Sequence, residues 1–166
     1  MKIVQKITPC LWFDEDAEAA AEFYTRIFSP SKIVSINRYG EAGHEFHGRP
    51  AGSVMSVAFE LNGQVFTALN GGPQFTFNEA ISLQVNCETQ EEVNHYWEKL
   101  SQGGDATAQQ CGWLKDKYGV SWQIIPIVLF DMINDTDDEK SQRVVQAMMQ
   151  MKKLDINTLT LAHEGK

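Results

Sequence analysis

LWFDEDAEAAAEFYTRIF (Leu11 to Phe28) lies on LQVNCETQEEVNHYWEKL (Leu83 to Leu100) at an offset of 72 residues, matching Leu11 with Leu83, Tyr24 with Tyr96 and Phe28 with Leu100. A weak internal duplication of this kind organises a chain that propensities alone leave ambiguous. Each copy reads as a strand followed by a helix. Ile81, Leu83 and Val85 alternate with Ala80, Ser82 and Gln84, the period-two pattern of a half-buried strand. Ala20, Tyr24, Ile27 and Phe28 in the first copy, and Val93, Tyr96, Trp97 and Leu100 in the second, are spaced as one face of a helix. Thr89 and Glu92 predict a capping box at the second helix.

At an offset of 56, ELNGQVFTAL (Glu60 to Leu69) lies on DKYGVSWQII (Asp116 to Ile125), matching Gly63 with Gly119, Phe66 with Trp122 and Thr67 with Gln123. Each copy predicts a hairpin whose turn carries the glycine. The two offsets differ by 16 residues, so the first half must hold an extra loop, and the polar, Gly-rich stretch Tyr39 to Ser53 supplies it. The reading is strand 7–13, helix 17–28, strands near 32–39, 53–60 and 64–70, then strand 80–86, helix 90–101 and strands near 105–111, 112–117 and 121–127. That predicts an α+β protein of two βαβββ modules, about 7–70 and 80–127, in one duplicated domain over 1–130. A helical tail over 131–166 is expected to pack on the same domain. In it, a helix over 138–152 follows a capping box at Thr136 to Glu139, and a short helix begins near Asp155. The stripe Val144, Val145, Met148, Met149 and Met151 reads as core or subunit interface, with a Met-lined ligand surface as the other reading.

Composition narrows the function. Acidic residues number 22 against 14 basic ones, so the positive footprint of a phosphate-backbone binder is missing and no nucleic-acid partner is expected. The longest apolar stretch, Ile124 to Phe130, contains a proline and is far shorter than the ~20 residues that span a bilayer, so no membrane partner is expected. The first residues carry Gln5 and Lys6 within their apolar region and do not read as a secretory signal. Cys10, Cys87 and Cys111 are odd in number and lack CxxC spacing, which argues against a disulfide framework or structural zinc and favours a cytoplasmic location.

With two βαβββ units, LNGGPQFTFNEAIS (Leu69 to Ser82) and CGWLKDKYGVSWQIIP (Cys111 to Pro126), the chain resembles the PhnB-like branch of the vicinal oxygen chelate (glyoxalase and bleomycin-resistance) superfamily. Within it the chain looks most like the group named 3-demethylubiquinone-9 3-methyltransferase. The resemblance spans roughly Thr8 to Ala162, including AMMQMKKLDINTL (Ala147 to Leu159). It implies a glyoxalase-like fold, a curved mixed sheet around a cleft with added C-terminal helices, usually as a homodimer. It does not supply a reaction, because that superfamily hosts isomerases, dioxygenases, lyases and metal-free binding proteins.

Metal-dependent members of the superfamily hold an ion with His, Gln or Glu from the first and last strands of each unit. Carried onto this chain, those positions are Thr8, Thr67, Ala80 and Gln123, of which only Gln123 offers a plausible ligand. A divalent site needs three or four strong ligands, so neither a metal nor another cofactor is expected. His44 and His47 flank Glu45 in a Gly-rich insert and read as solvated residues on a mobile flap, or as groups that complete an enzyme site. His95 falls on the second helix and His163 near the C-terminus, both far in sequence from the cleft elements. Cys10 and Cys111 are the possible nucleophiles, but no base can be named for either, and buried cysteine ordinarily packs as a small hydrophobe. Trp12, Thr67, Asn70, Gln84, Cys111, Trp113 and Gln123 are the candidate substrate-binding residues, an apolar lining with a few amides. Core packing is the other reading for the tryptophans.

A Rossmann-type methyl-donor site would need a Gly-rich turn opening a helix, whereas Gly71-Gly72 precedes Pro73 and a stretch without helical periodicity. The residues therefore favour a metal-independent homodimer that binds a small molecule. The alternative is an isomerase, lyase or dioxygenase-like enzyme of the same superfamily, completed by the His44–His47 loop or by a partner chain.

Overall fold

Alternation places Leu11 and Phe13 on one face of β1 (Cys10–Phe13), and α1 (Ala17–Ile27) covers that face in the computed structural model, which describes residues 5–166. Helix α1 buries Ala17, Ala20, Ala21, Tyr24 and Ile27, and its three alanines let its axis lie close to the sheet. The sheet runs β1–β4–β3–β2, with β2 (Ser31–Arg38), β3 (Val54–Leu61) and β4 (Gln64–Asn70); β1 is parallel to β4 and the other pairs are antiparallel. Val57, Phe59, Phe66 and Ala68 fill the helix-facing side, where the Tyr24 ring lies 6.1 Å from Phe59 and Phe59 lies 5.4 Å from Phe66. The hairpin closes on Asn62 (φ 47°) and Gly63 (φ 85°), two successive left-handed residues whose twist matches that of the strands. The insert between β2 and β3 contains one helical turn, α2 (His44–His47).

The chain divides into two compact units after Phe77. In the second, β5 (Leu83–Cys87), α3 (Gln90–Ser101), β6 (Trp113–Lys115) and β7 (Ser121–Pro126) form a sheet of order β5–β7–β6, with β5 parallel to β7. Helix α3 buries Val93, Trp97 and Leu100 over this sheet, whose buried Leu114, Trp122 and Ile124 share one face. Thr89 caps it by accepting from the Glu92 N–H (3.2 Å), and the Glu92 carboxylate accepts from the Glu88 N–H (2.7 Å), one residue ahead of the cap.

The mixed α+β class is as expected, with sheets of four and three strands plus C-terminal helices. The strand expected near 105–111 is absent. In its place a 3-10 turn, Ala106–Ala108, is fixed by the Asp105 carboxylate, which accepts from the Thr107 N–H (2.9 Å) and hydroxyl (2.6 Å). Cys111 (φ 51°) and Gly112 (φ 85°) then turn left-handed, and their N–H groups donate to the carbonyls of Met151 and Lys152, both at 2.8 Å. The backbone here is committed to the tail and is not free to pair as a fourth strand. The offset also needs correction. Leu11 is in register with Ala68 and Val85 with Ile124, so it is Val85 that takes the place of Leu11. Tyr24 corresponds by burial to Trp97, one residue beyond the Tyr96 that the sequence match pairs with it.

The tail belongs to the second unit and forms α4 (Val128–Ile133), α5 (Asp138–Met149) and α6 (Ile156–Glu164). The α4 turn was not expected. Ile125 from β7, Leu129 and Met132 from α4, Val144 from α5, and Leu154 and Leu159 form one buried cluster, with Met148 and Met151 packed against it. Part of the Met and Val stripe is thus core within this unit, while Met149 is 53% exposed. Asp137, not Thr136, caps α5, accepting from the N–H groups of Glu139 (3.0 Å) and Lys140 (3.3 Å). Asp155 caps α6 through the Thr158 N–H (2.7 Å). Among the described residues no helix is long and apolar enough to cross a membrane.

Candidate functional site

Each sheet has one face away from its helix, and the candidate residues divide between these faces. In the first unit Cys10 lies opposite Thr67, and Trp12 opposite Leu69. The Trp12 indole N–H donates to the Gly72 carbonyl (2.8 Å), and the Phe75 ring meets the indole edge-on at 5.0 Å. A side chain at Gly71 would collide with that indole, so the glycine pair of LNGG makes the seat for Trp12. Asn70 serves the opposite face. Its Oδ1 accepts from the Ala17 N–H (2.8 Å), satisfying the start of α1, where Asp16 makes no side-chain cap bond. Its Nδ2 donates to the Val54 carbonyl (3.1 Å). This buried amide is spent on holding α1 and the strands.

The insert is pinned at both of its ends. The Tyr39 hydroxyl donates to the Asn70 carbonyl (2.7 Å), and the Tyr39 ring packs on His47 with centroids 4.5 Å apart. His47 Nδ1 accepts from the Arg49 N–H (3.0 Å), which puts the ring proton on Nε2, facing the Ala42 carbonyl at 3.3 Å. The Arg49 guanidinium donates to Glu15 Oε1 (2.9 Å), the Asp14 carbonyl (2.9 Å) and Asp14 Oδ1 (3.2 Å). His44 is exposed, as expected, but His47 is a tied residue and does not ride on a free flap. His47, Arg49, Asp14, Glu15, Gly72 and Gln74 line an open hollow of about 450 Å³.

In the second unit Gln84 lies opposite Gln123, and Gln123 opposite Trp113, so all three project from one face. Gln123 Nε2 donates to the Ser82 hydroxyl (2.8 Å), and Gln84 Nε2 to Asn86 Oδ1 (2.8 Å). One step along, Lys115 is opposite Ser121 on the same face and forms an ion pair with Glu79. Hydrogen bonding to the Lys115 ammonium holds the Glu79 carboxyl below the usual carboxylate range. Ser121 is 2% exposed, and its hydroxyl has no hydrogen-bond partner among the described residues.

Asp116 shapes this hairpin and escaped the sequence reading. Its Oδ1 accepts from the N–H groups of Tyr118 (2.9 Å) and Val120 (3.0 Å), and its Oδ2 from the Trp122 indole (2.8 Å). The signal was there in Asp116-Lys-Tyr-Gly119, where an aspartate three residues ahead of a glycine is a turn former. Cys111 does not join Gln84, Trp113 and Gln123. Its Sγ lies 3.7 Å from Met149 Sδ and accepts from Gln110 Nε2 (3.3 Å), at the tail. Cys87 has its thiol pushed up to about 12, chiefly by burial, and Cys10 is also raised by partial desolvation, so both are held as protonated thiols. The register replaces the carried-over quartet: β1 begins at Cys10 and β5 at Leu83, and the residues facing Thr67 and Gln123 are Cys10 and Gln84, not Thr8 and Ala80. Among the described residues no three His, Cys, Asp or Glu side chains converge as metal ligands would.

The family model described as 3-demethylubiquinone-9 3-methyltransferase matches residues 5–125. The chain belongs to this family. The match takes in LNGGPQF and nearly all of the Cys111 to Pro126 motif, the two stretches that seat Trp12 and build the Asp116 turn. A solved PhnB protein of Bacillus cereus that carries the same methyltransferase name is 43% identical, with coverage of 74% of this chain and 99% of that one and a TM-score of 0.62. A solved Pseudomonas aeruginosa protein, 17% identical over 74% of this chain and 97% of its own, shares the fold with a TM-score of 0.57. No curated protein matches the chain. The resemblance to the PhnB-like, glyoxalase-fold group is thereby borne out.

Proposed function

We propose that this PhnB-like protein is a homodimeric binding module that takes a small, partly apolar molecule without a metal ion, on the face of the second sheet that carries Trp113, Gln84 and Gln123. The observation that carries the reading is the register that sets Gln123 between Gln84 and Trp113, with its amide already oriented by Ser82. Amides and a hydroxyl beside an indole recognise neutral polar groups joined to an apolar body, the usual make-up of a small-molecule site. Ligand screening by thermal shift tests it: compounds that raise the melting temperature of the native protein should lose that effect in Gln123→Ala. Stoichiometric Fe, Mn, Ni or Zn in protein purified without chelator, with stability lost on chelation, would overturn metal independence. For the dimer, exposed Met149 is the residue to charge. Light scattering should give a dimer for the native protein and a monomer for Met149→Asp, with the fold intact because Met149 lies outside the buried cluster. A monomeric native protein would reject the dimer.

A second reading is an enzyme completed by the insert, and the hollow beside His47 and Arg49 favours it. His44→Ala and His47→Ala should then abolish any turnover found, and unchanged kinetics would remove the insert from the mechanism.

A further inference from the structure

Along the same face as Trp113 and Gln123, the groups next in register are all hydrogen-bond donors or can act as donors. Lys115 sits across from Ser121, and Lys115 and Trp113 are two residues apart on β6, as Ser121 and Gln123 are on β7. All four side chains therefore project to one side of the β6–β7 ladder. The Lys115 side chain is only 23% exposed, so its cation stands partly desolvated, where a counter-charge is worth more than at an open surface. Ser121 offers a buried hydroxyl that no group among the described residues uses. A buried polar group without a partner calls for an explanation, and a ligand oxygen is one. What Lys115 holds is itself informative. Its partner is the carboxylate of Glu79, a residue of the stretch that leads into β5, and that carboxylate is 61% exposed. An exposed carboxylate on irregular backbone is a counter-ion that can be exchanged.

We propose that the ligand of this face carries a carboxylate, that Lys115 receives it in place of Glu79 with Ser121 and Gln123 as neighbouring donors, and that the ligand's apolar body lies along Trp113. This rests on the binding reading given above and names the ligand's class. In a chain with 22 acidic and 14 basic residues, long-range attraction for an anion is unfavourable, so selection falls on this local cation. Asp105, whose field also reaches Lys115, is already committed to Thr107, which leaves Glu79 as the competitor.

Benzoate and its neutral counterpart benzamide are the probes, followed by two-dimensional amide NMR and indole fluorescence on the full-length protein. Benzoate should shift the resonances of Trp113, Lys115, Ser121 and Gln123 and bind at least about tenfold more tightly than benzamide, the difference expected of a partly desolvated ion pair. Lys115→Gln should remove that preference, with benzoate affinity falling at least about tenfold and benzamide affinity falling by less. Glu79→Gln, which frees the ammonium, should tighten benzoate binding severalfold and leave benzamide alone. Equal binding of the two probes, or benzoate affinity untouched in Lys115→Gln, would overturn the carboxylate assignment and leave the binding module standing. If neither probe perturbs Trp113 or Gln123, both the assignment and the placement of the binding face fail.

Discussion

The two hairpins hold the same place in their units, each pairing its last strand with the strand before it, yet they close by different physics. In the first unit Asn62 and Gly63 make a two-residue turn, and left-handed backbone alone sets its twist. In the second, Lys115 pairs with Ser121 across a longer loop, and the buried Asp116 carboxylate gathers two backbone N–H groups and the Trp122 indole. Both turns keep a left-handed glycine, Gly63 at φ 85° and Gly119 at φ 86°. Both hairpins bury large apolar residues on the helix-facing side, Phe59 and Phe66 in one unit and Leu114 and Trp122 in the other, as the core requires. The opposite faces differ, one carrying Cys10, Trp12 and Thr67, the other Lys115, Trp113 and Gln123.

The largest effect expected from this contrast comes from Asp116→Ala. Three donors would lose a charged acceptor inside the protein, at a cost of about 3–5 kcal/mol measured by urea unfolding. The matching change in the first unit, Gly63→Ala, should cost only about 1 kcal/mol, because open space surrounds the position and only its backbone angle resists a side chain. Comparable losses at the two sites would break the comparison.

Two further glycines sharpen it. A side chain at Gly104 would run into the backbone carbonyl of Lys115, whereas one at Gly71 meets the indole of Trp12, a side chain that can move. Gly104→Ala should therefore destabilise by about 2–3 kcal/mol, and Gly71→Ala by less, with Trp12 displaced and its fluorescence changed. An unaltered indole spectrum in Gly71→Ala would show that the seat is not where the first unit holds its tryptophan.

Acid should act on the tail of the second unit. Hydrogen bonds from Thr158 hold the Asp155 carboxyl below its ordinary value, and the Asp137 N–H, with His163, does the same for Asp135. A carboxyl lowered in the folded state contributes fully above its unfolded value near ~3.9 and loses that contribution as pH falls through the lower folded value. Hydrogen exchange should show α6 amides losing protection as the pH falls below about 4. Asp155→Ala should cost about 1 kcal/mol at neutral pH and weaken that acid response. An α6 whose protection is unchanged on acidification would contradict it.

The period-two and helical patterns, read on Leu11 to Phe28 and Leu83 to Leu100, were enough to place both strand–helix pairs, because side chains facing a core must repeat with the geometry of their element. The hairpins came from matching Glu60 to Leu69 on Asp116 to Ile125, and the family from the resemblance carried by Leu69 to Ser82 and Cys111 to Pro126. Gln84, Trp113 and Gln123 could be proposed together for the same reason. Chain alternation could not say which residue stands beside which across the sheet. Sequence matching set Leu83 on Leu11 and Tyr96 on Tyr24, while pairing and burial chose Val85 and Trp97, because register is fixed by hydrogen bonds between strands distant in sequence. The loss of a strand near 105–111 depended on carbonyls of Met151 and Lys152, some 40 residues away. Asn70 and Cys111 left the candidate site for the same reason: one is consumed in starting α1 and the other lies against the tail. Lys115, Ser121 and Glu79 entered it only once the ladder of β6 and β7 set them side by side, since a polar residue's partner is decided by tertiary packing and not by its neighbours in the chain.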